Sequence, residues 1–492
     1  MKILFVYPEF PDTFWSFKHA LKFIRKKASS PPLGLLTVAS MLPTGWEKRL
    51  VDLNAESLKP GDLAWADMVF LSAMVIQRDS ARHVIARCKE AGVKVVAGGP
   101  LFTEEHEQFP DVDHFVLNEA ELTLPPFLAD LALGRAQRLY TTDQYPDIQQ
   151  TPAPLWKLAN LKLYSTMSIQ FSRGCPYNCD FCNVTALFGH RPRTKTAAQI
   201  VGELDGLYAC GWRKSVFFVD DNFIGNRKQL KAEILPALIE WRKGKVGMPF
   251  NTEVSINLAD DPELLRLMVA AGFDTVFIGI ETPNEDSLAE CGKFQNKNRD
   301  LVECVKLIQR AGLQVQGGFI VGFDSDTPAV FQQQIDFIQK SGIVTAMVGL
   351  LQAPYGTRLY ERMQREGRLM DAPSGDNVDG STNILPRMGL EVLRQGYKKL
   401  LDQLYSPRLY YARVKTFLQE YKPPKINMRL EPQYILAFFR SMYRLGIQGV
   451  ERAQYWKLMV WTAVRKPQLF PLAVTLSIYG FHFRQVVQLH VQ

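Results

Sequence analysis

Thirteen residues, Phe171 to Asn183, read FSRGCPYNCDFCN. Three of the seven cysteines in this 492-residue chain fall inside that stretch, at C-x₃-C-x₂-C spacing: Cys175, Cys179 and Cys182. The other four, Cys88, Cys210, Cys291 and Cys304, are scattered singly. Thiolates packed this closely are soft ligands, suited to an iron–sulfur cluster or to zinc. A structural zinc would ask the protein for a fourth ligand, and His190 is the candidate nearby. A four-iron cubane normally takes four protein ligands, so three cysteines with no close fourth leave one iron open to a small molecule.

The motif follows a short apolar segment, Met167 to Phe171, and an Arg173-Gly174 pair. In this setting C-x₃-C-x-F-C resembles the signature of the radical SAM superfamily. The resemblance implies a [4Fe-4S] cluster on Cys175, Cys179 and Cys182, its open iron chelated by the amino and carboxylate groups of S-adenosylmethionine. It implies one-electron cleavage of the sulfonium C–S bond to a 5′-deoxyadenosyl radical. It also implies that Phe181 lies near the adenine.

Met1 to Tyr7 is short, apolar and followed at once by Pro8, so it reads as a first strand and not as a secretory segment. Sparse cysteines and an oxygen-sensitive cluster fit a reducing cytoplasm. The net charge of +8 is unevenly spread. Residues 387–492 carry 17 Lys and Arg against 5 Asp and Glu, and the rest of the chain 41 against 45. The basic character belongs to the tail.

Residues 1–145 alternate strands and helices. Strands are expected at Lys2–Tyr7, Lys48–Leu53, Met68–Ser72, Val93–Ala97 and His114–Leu117, with helices at Leu33–Met41 and Asp79–Ala91. A further helix runs to Leu133, with Pro125 and Pro126 tolerable only in its first turn. This α/β order predicts a Rossmann-like, doubly wound parallel sheet with its ligand at the carboxyl ends of the strands, where Ser72, Gly98 and Gly99 fall. It resembles the cobalamin-binding domain that precedes many radical SAM domains, which implies that the nucleotide tail of cobalamin lies near those three residues. Asn118-Glu119-Ala120-Glu121 resembles that branch's G-E-G-E turn with both glycines replaced. The D-x-H-x-x-G loop is absent, since Asp12 and His19 are too far apart, so histidine ligation of cobalt is not expected. The plainer alternative is a Rossmann-like domain that only packs. Residues 146–160, with Pro146, Pro152 and Pro154, read as a linker.

Residues 161–385 carry six strands, most followed by a helix: the strand before the cysteines, then Ser215–Val219, Pro249–Ile256, Thr275–Ile280, Val315–Val321 and Thr345–Leu350. That predicts a partial (β/α)6 barrel with its chemistry at the C-terminal ends of strands. A zwitterionic sulfonium cofactor needs carboxylates, a cation and small residues there. By resemblance, Asp220 lies near the methionyl amino group, Glu253 and Glu281 near amino or ribose groups, Lys293 near the carboxylate, and Gly318 in the adenine-side strand. The alternative, that such polar residues are solvated or cap helices, fits Asp221 and Thr282 best. Glu253 and Glu281 sit inside apolar runs, where a carboxylate without a partner is costly.

Residues 386–492 read as a helical, aromatic and basic domain. Pro467 to Phe483 is a 17-residue uncharged run holding Pro471 and Gly480, at the short limit for a membrane span, so a core or interfacial helix is expected. Cations interleaved with Trp, Tyr and Phe suit an anionic headgroup region, which implies peripheral membrane contact at the inner face. An ordinary helical cap with aromatics in its core is the alternative. Nucleic acid is not expected. The ending Leu476 to Arg484 resembles the subgroup of cobalamin-type radical SAM proteins that includes the hopanoid C-2 methylase. The resemblance implies cobalamin-dependent C-methylation of an unactivated carbon on a small molecule or lipid, with flavodoxin or ferredoxin as electron donor. A non-methylating radical reaction and a non-enzymatic metal scaffold remain the rival readings.

Overall fold

The computed structural model describes residues 1–376, 378–424, 426 and 431–490. Strands Lys2–Tyr7 (β1), Glu47–Asp52 (β2), Met68–Ser72 (β3), Lys94–Gly98 (β4), His114–Val116 (β5) and Leu139–Tyr140 (β6) form one parallel sheet in the order 2-1-3-4-5-6. β1 and β3 are continuous apolar runs because both faces of the sheet are covered. Leu4 and Val6 pack into one buried cluster with Val69 and Leu71, while Ile3 and Phe5 pack into another with Met68 and Phe70. Because β1 lies between β2 and β3, the chain changes direction there, which opens a crevice at the strand ends. β6 adds a sixth strand to the five expected. It is held by Phe115 N to Arg138 O at 2.7 Å and Leu117 N to Tyr140 O at 2.9 Å, and two residues are too few to show a period.

The two prolines correct a second expectation. The helix begins at Ala120 and runs to Ala132, which puts Pro125 and Pro126 beyond the first turn. Its early start brings Glu119 and Glu121 onto arginines of the next domain, as described below.

The second sheet contains Met167–Ile169 (β7), Val216–Phe218 (β10), Phe250–Val254 (β11), Phe273–Glu281 (β12), Gln314–Val321 (β13) and Ala346–Leu350 (β14). All neighbours are parallel, in the order β7-β10-β11-β12-β13-β14, as the partial barrel requires. Between β7 and β10, Ser172–Arg173 (β8) and Arg193–Thr194 (β9) pair antiparallel and frame the cysteine loop.

The helical region, Leu390–Leu404, Pro407–Glu420, Pro432–Ser441, Arg452–Arg465 and Phe470–His490, shares one buried core with the barrel. Its first job is to cover an edge. An edge strand has backbone groups with no ladder partner. Here Tyr397 Oη donates to Val348 O at 2.9 Å and Tyr405 Oη to Ala346 O at 2.5 Å, both on β14. The uncharged run lies inside the fold. Gly480 lies against the ring of Tyr410, whose Oη donates to Leu476 O at 2.6 Å, and Phe483 stacks on Phe14 with centroids 4.9 Å apart. Among the described residues no helix is long and apolar enough to cross a membrane.

Candidate cofactor site

The carboxyl ends of the first sheet and of β7 and β10 in the barrel open into one cavity of about 630 Å³, whose lining does not include the motif cysteines, Phe181, Glu253, Glu281, Lys293 or Gly318. Tyr7, Ser72, Gly98 and Gly99 line it from the first sheet, and Ser168, Gln170, Arg173 and Asp221 from the barrel. The glycines are steric necessities. Gly99 has φ +89°, and a Cβ there would lie 2.5 Å from Ser72 Oγ; at Gly98 it would lie 2.6 Å from Val116 O. The floor is therefore bare backbone, able to approach a ligand closely. Ser72, Gly98 and Gly99, three residues from two strand ends, are brought together here.

The cysteine loop leaves β8 at Gly174, where φ is +94° and a Cβ would lie 2.9 Å from both Gly189 O and Arg191 O. Cys175 N donates to Gly189 O at 3.3 Å and Cys182 N to Cys179 O at 3.2 Å. Asp180 N donates to the carbonyl of Cys291 at 3.0 Å, so a cysteine distant in sequence borders the loop. All three motif thiols are free and partly buried. Burial raises the pKa of each, that of Cys182 to about 12, so at neutral pH each keeps its proton unless a metal displaces it. Among the described residues no three His, Cys, Asp or Glu side chains converge to hold a single ion. A cubane needs another arrangement, one thiolate on each of three separate irons.

Asp220 is buried and holds this loop in place. Its carboxylate accepts Ser172 Oγ at 2.6 Å, Phe171 N at 3.3 Å and the amide of Ser172. Burial still pushes its pKa up to about 7. Asp221 is not the solvated acid expected. It lines the cavity, accepts Gly174 N at 3.3 Å, and is raised by burial to about 6. Glu253, on β11, is raised to about 8 by burial and then by the charges of Asp221 and Asp220. Three acids so raised form a site short of positive charge.

Lys293 supplies one cation. Its Nζ lies 2.7 Å from Glu281 Oε1. Burial works against the ammonium, but Glu281 and then Cys179 outweigh it, and the lysine pKa is raised. Glu281 ends β12 with φ +64°, at a break in register with β13. A left-handed non-glycine residue costs about 1–2 kcal/mol. Asn296 Nδ2 offsets this by donating to Gly279 O and Ile280 O, each at 3.0 Å, and Gln334 Nε2 donates to Glu281 O at 3.0 Å. Thr282 is wholly buried; its Oγ1 accepts Asn284 N at 3.2 Å. Gly318 lies under Phe277, where a Cβ would be 2.7 Å from Cζ, and Phe277 meets the edge of Trp15 on the cavity wall. Phe181 packs with Phe323, centroids 6.3 Å apart. Of the barrel residues expected around S-adenosylmethionine, Glu281 and Lys293 are in direct contact, whereas Phe181 packs with Phe323 and Gly318 with Phe277, away from each other's neighbours.

Sequence patterns alone missed the joint between the domains. Arg173 Nη1 lies 2.5 Å from Glu119 Oε2 and its Nη2 2.9 Å from Glu121 Oε1; Arg193 Nη2 lies 2.7 Å from Glu119 Oε1. All four side chains are at most 18% exposed. Two acids from the first domain thus grip the two short strands that frame the cysteine loop. The signal was the pair of acids in Asn118-Glu119-Ala120-Glu121, which reads as a turn when taken alone.

A fold of this kind, a doubly wound domain and a partial barrel facing one chamber, defines a cobalamin-binding radical SAM protein. The radical SAM superfamily profile matches residues 169–338, the B12 binding domain profile residues 25–128, and a domain of unknown function residues 357–492. An uncharacterised methyltransferase of Synechocystis sp. is 38% identical, covering 99% of this chain and 92% of that protein. The hopanoid C-2 methylase of Rhodopseudomonas palustris is 34% identical, covering 94% and 90%. The cobalamin-dependent radical enzyme OxsB, solved with aqua-cobalamin and S-adenosylmethionine, superposes with a TM-score of 0.63 at 14% identity, over all of this chain and 84% of that one. The chain belongs to the cobalamin-dependent radical SAM methyltransferase family. It is an enzyme whose cofactors are a [4Fe-4S] cluster, S-adenosylmethionine and cobalamin.

Proposed function

We propose that this enzyme transfers a methyl group to an unactivated carbon of a lipid, of which a hopanoid is the leading case. The observation that carries the reading is one chamber lined both by the strand ends of the first domain and by the β7 and β10 ends of the barrel, next to the cysteine loop that Asp220 and Asp221 anchor. Cys175, Cys179 and Cys182 would hold the cluster. Phe181, Asp220, Glu253, Glu281, Lys293 and Gly318 would surround S-adenosylmethionine, with Asp220 acting through the loop it anchors. Ser72, Gly98 and Gly99 would receive cobalamin. When bound, these groups supply hydrogen-atom abstraction and a transferable methyl group.

The chain's own residues orient and shield. Burial keeps the proton on the Glu253 carboxyl to about pH 8, and an arriving cation would lower that pKa so that the proton leaves to solvent and the carboxylate pairs with the cation. The Lys293 ammonium, paired with Glu281 at 2.7 Å, would donate to a carboxylate. Phe10, Trp15, Leu35, Phe70 and Leu124 line the chamber and exclude water, which protects a reactive radical. Electrons would come from a flavodoxin or ferredoxin, and the basic, aromatic helical region would bring the enzyme to the inner membrane face where its substrate lies.

The test is anaerobic reconstitution with cobalamin, a reductant, methyl-labelled S-adenosylmethionine and a polycyclic membrane lipid. Label in the extracted lipid is expected. An unlabelled altered lipid with 5′-deoxyadenosine would point to a different radical reaction and overturn the methylation reading.

A further inference from the structure

Two helices of the C-terminal region present apolar stripes to solvent in addition to the faces they bury. On Pro432–Ser441 and its extension to Ile447, Ile435, Phe439, Tyr443 and Ile447 recur every fourth residue, 44%, 55%, 57% and 61% exposed. On Arg452–Arg465, Trp456, Val460 and Val464 do the same at 41%, 61% and 73%. Core contact is made by other residues: Ala437, Ser441 and Leu445 on the first helix, and Tyr455, Leu458, Met459 and Thr462 on the second. The stripes meet where Trp456 Nε1 donates to Gly446 O at 2.9 Å. A contiguous patch of this kind marks a docking surface.

Charge selects what covers it. Residues 431–492 hold seven Lys and Arg against two acids, Glu431 and Glu451. Glu451 is buried against Arg484, whereas Arg444, Arg452, Lys457 and Arg465 are exposed beside the stripes. A second copy of the chain would bring those cations against their own kind. We propose that this surface docks on an anionic lipid bilayer, with the apolar stripes at the acyl boundary and the cations among headgroups. The proposal deepens the membrane contact of the proposed function and rests on that reading for its purpose.

The experiment sediments the full chain with vesicles of phosphatidylcholine, alone or mixed with phosphatidylglycerol, with no cofactor or substrate added. Binding to the mixed vesicles is expected, weakened by salt. Phe439→Ser or Val460→Ser should lower partitioning about tenfold, and Arg452→Gln or Lys457→Gln about fivefold. Circular dichroism melting of these variants should match the parent, because the side chains touch solvent. Equal partitioning of parent and variants would overturn the proposal. So would equal binding to neutral vesicles, or a dimer in sedimentation equilibrium that the same substitutions dissolve. Label transfer without vesicle binding removes docking alone; vesicle binding without label transfer removes the methylation reading alone.

Discussion

Replacing Glu119 by Gln tests whether the joint between the two domains orders the cysteine loop. Glu119 is the only carboxylate that pairs with Arg193 among the described residues, and it shares Arg173 with Glu121. Breaking one side of a buried ion pair costs about 3–5 kcal/mol. Glutamine keeps one acceptor, and Arg193 keeps bonds to Pro146 O at 3.0 Å and Phe188 O at 3.2 Å, so about 2–3 kcal/mol is expected. For a unit of domain size that is a fall of about 5–10 °C in melting temperature. Because Arg173 is two residues from Cys175, the loss should be felt first in the loop. The assay is thermal unfolding read by thiol labelling, together with iron and sulfide per chain after anaerobic reconstitution. Glu121→Gln should cost less, since Arg173 keeps Glu119. Burial raises the Glu121 pKa, but Arg173 outweighs it and the net direction is down. Its stabilisation is therefore complete above the ordinary carboxylate range and fades only as the pH falls through the lowered value. Parental melting and iron content in Glu119→Gln would refute the reasoning, as would a larger loss in Glu121→Gln.

Replacing Cys175, Cys179 and Cys182 together by Ala should abolish 5′-deoxyadenosine formation; retained product would remove the cluster from these residues. Gly99→Ala forces a side chain onto a φ of +89° and against Ser72 Oγ, so about 1–3 kcal/mol of stability and most of the bound cobalt should be lost, read by melting and by cobalt per chain. Tyr405→Phe strips the donor from Ala346 O on β14, which should cost about 1–3 kcal/mol in denaturant unfolding. His482 is buried, and burial lowers its pKa from 6.5 to about 4. Its neutral form is stable above pH 6.5, and about 3 kcal/mol should be lost as the pH falls from 6.5 to 4, a slope that His482→Gln should flatten in pH-dependent melting.

Local order was legible wherever neighbouring residues share one task. The spacing of Cys175, Cys179 and Cys182 already put three thiols on one short loop, because residues so close in sequence cannot reach separate sites. Runs such as Ile3 to Val6 and Met68 to Leu71 showed buried parallel strands, since a strand covered on both faces has no polar side to alternate with. Gly98 and Gly99 at a strand end marked the stretch of bare backbone that lines the cavity. The prolines of Ala120–Ala132 misled: the helix starts at Ala120, so both lie inside it and not in its first turn.

Tertiary structure alone decided the partners. Nothing near Glu119 announces Arg173, nothing near Asp220 announces Ser172, and nothing near Phe14 announces Phe483. Burial and charge balance choose such pairs across long stretches of chain, and neither leaves a period in sequence. The uncharged run ending at Phe483 shows the same limit: apolar character states that a helix must be hidden, and only the folded chain determines that protein, not lipid, hides it.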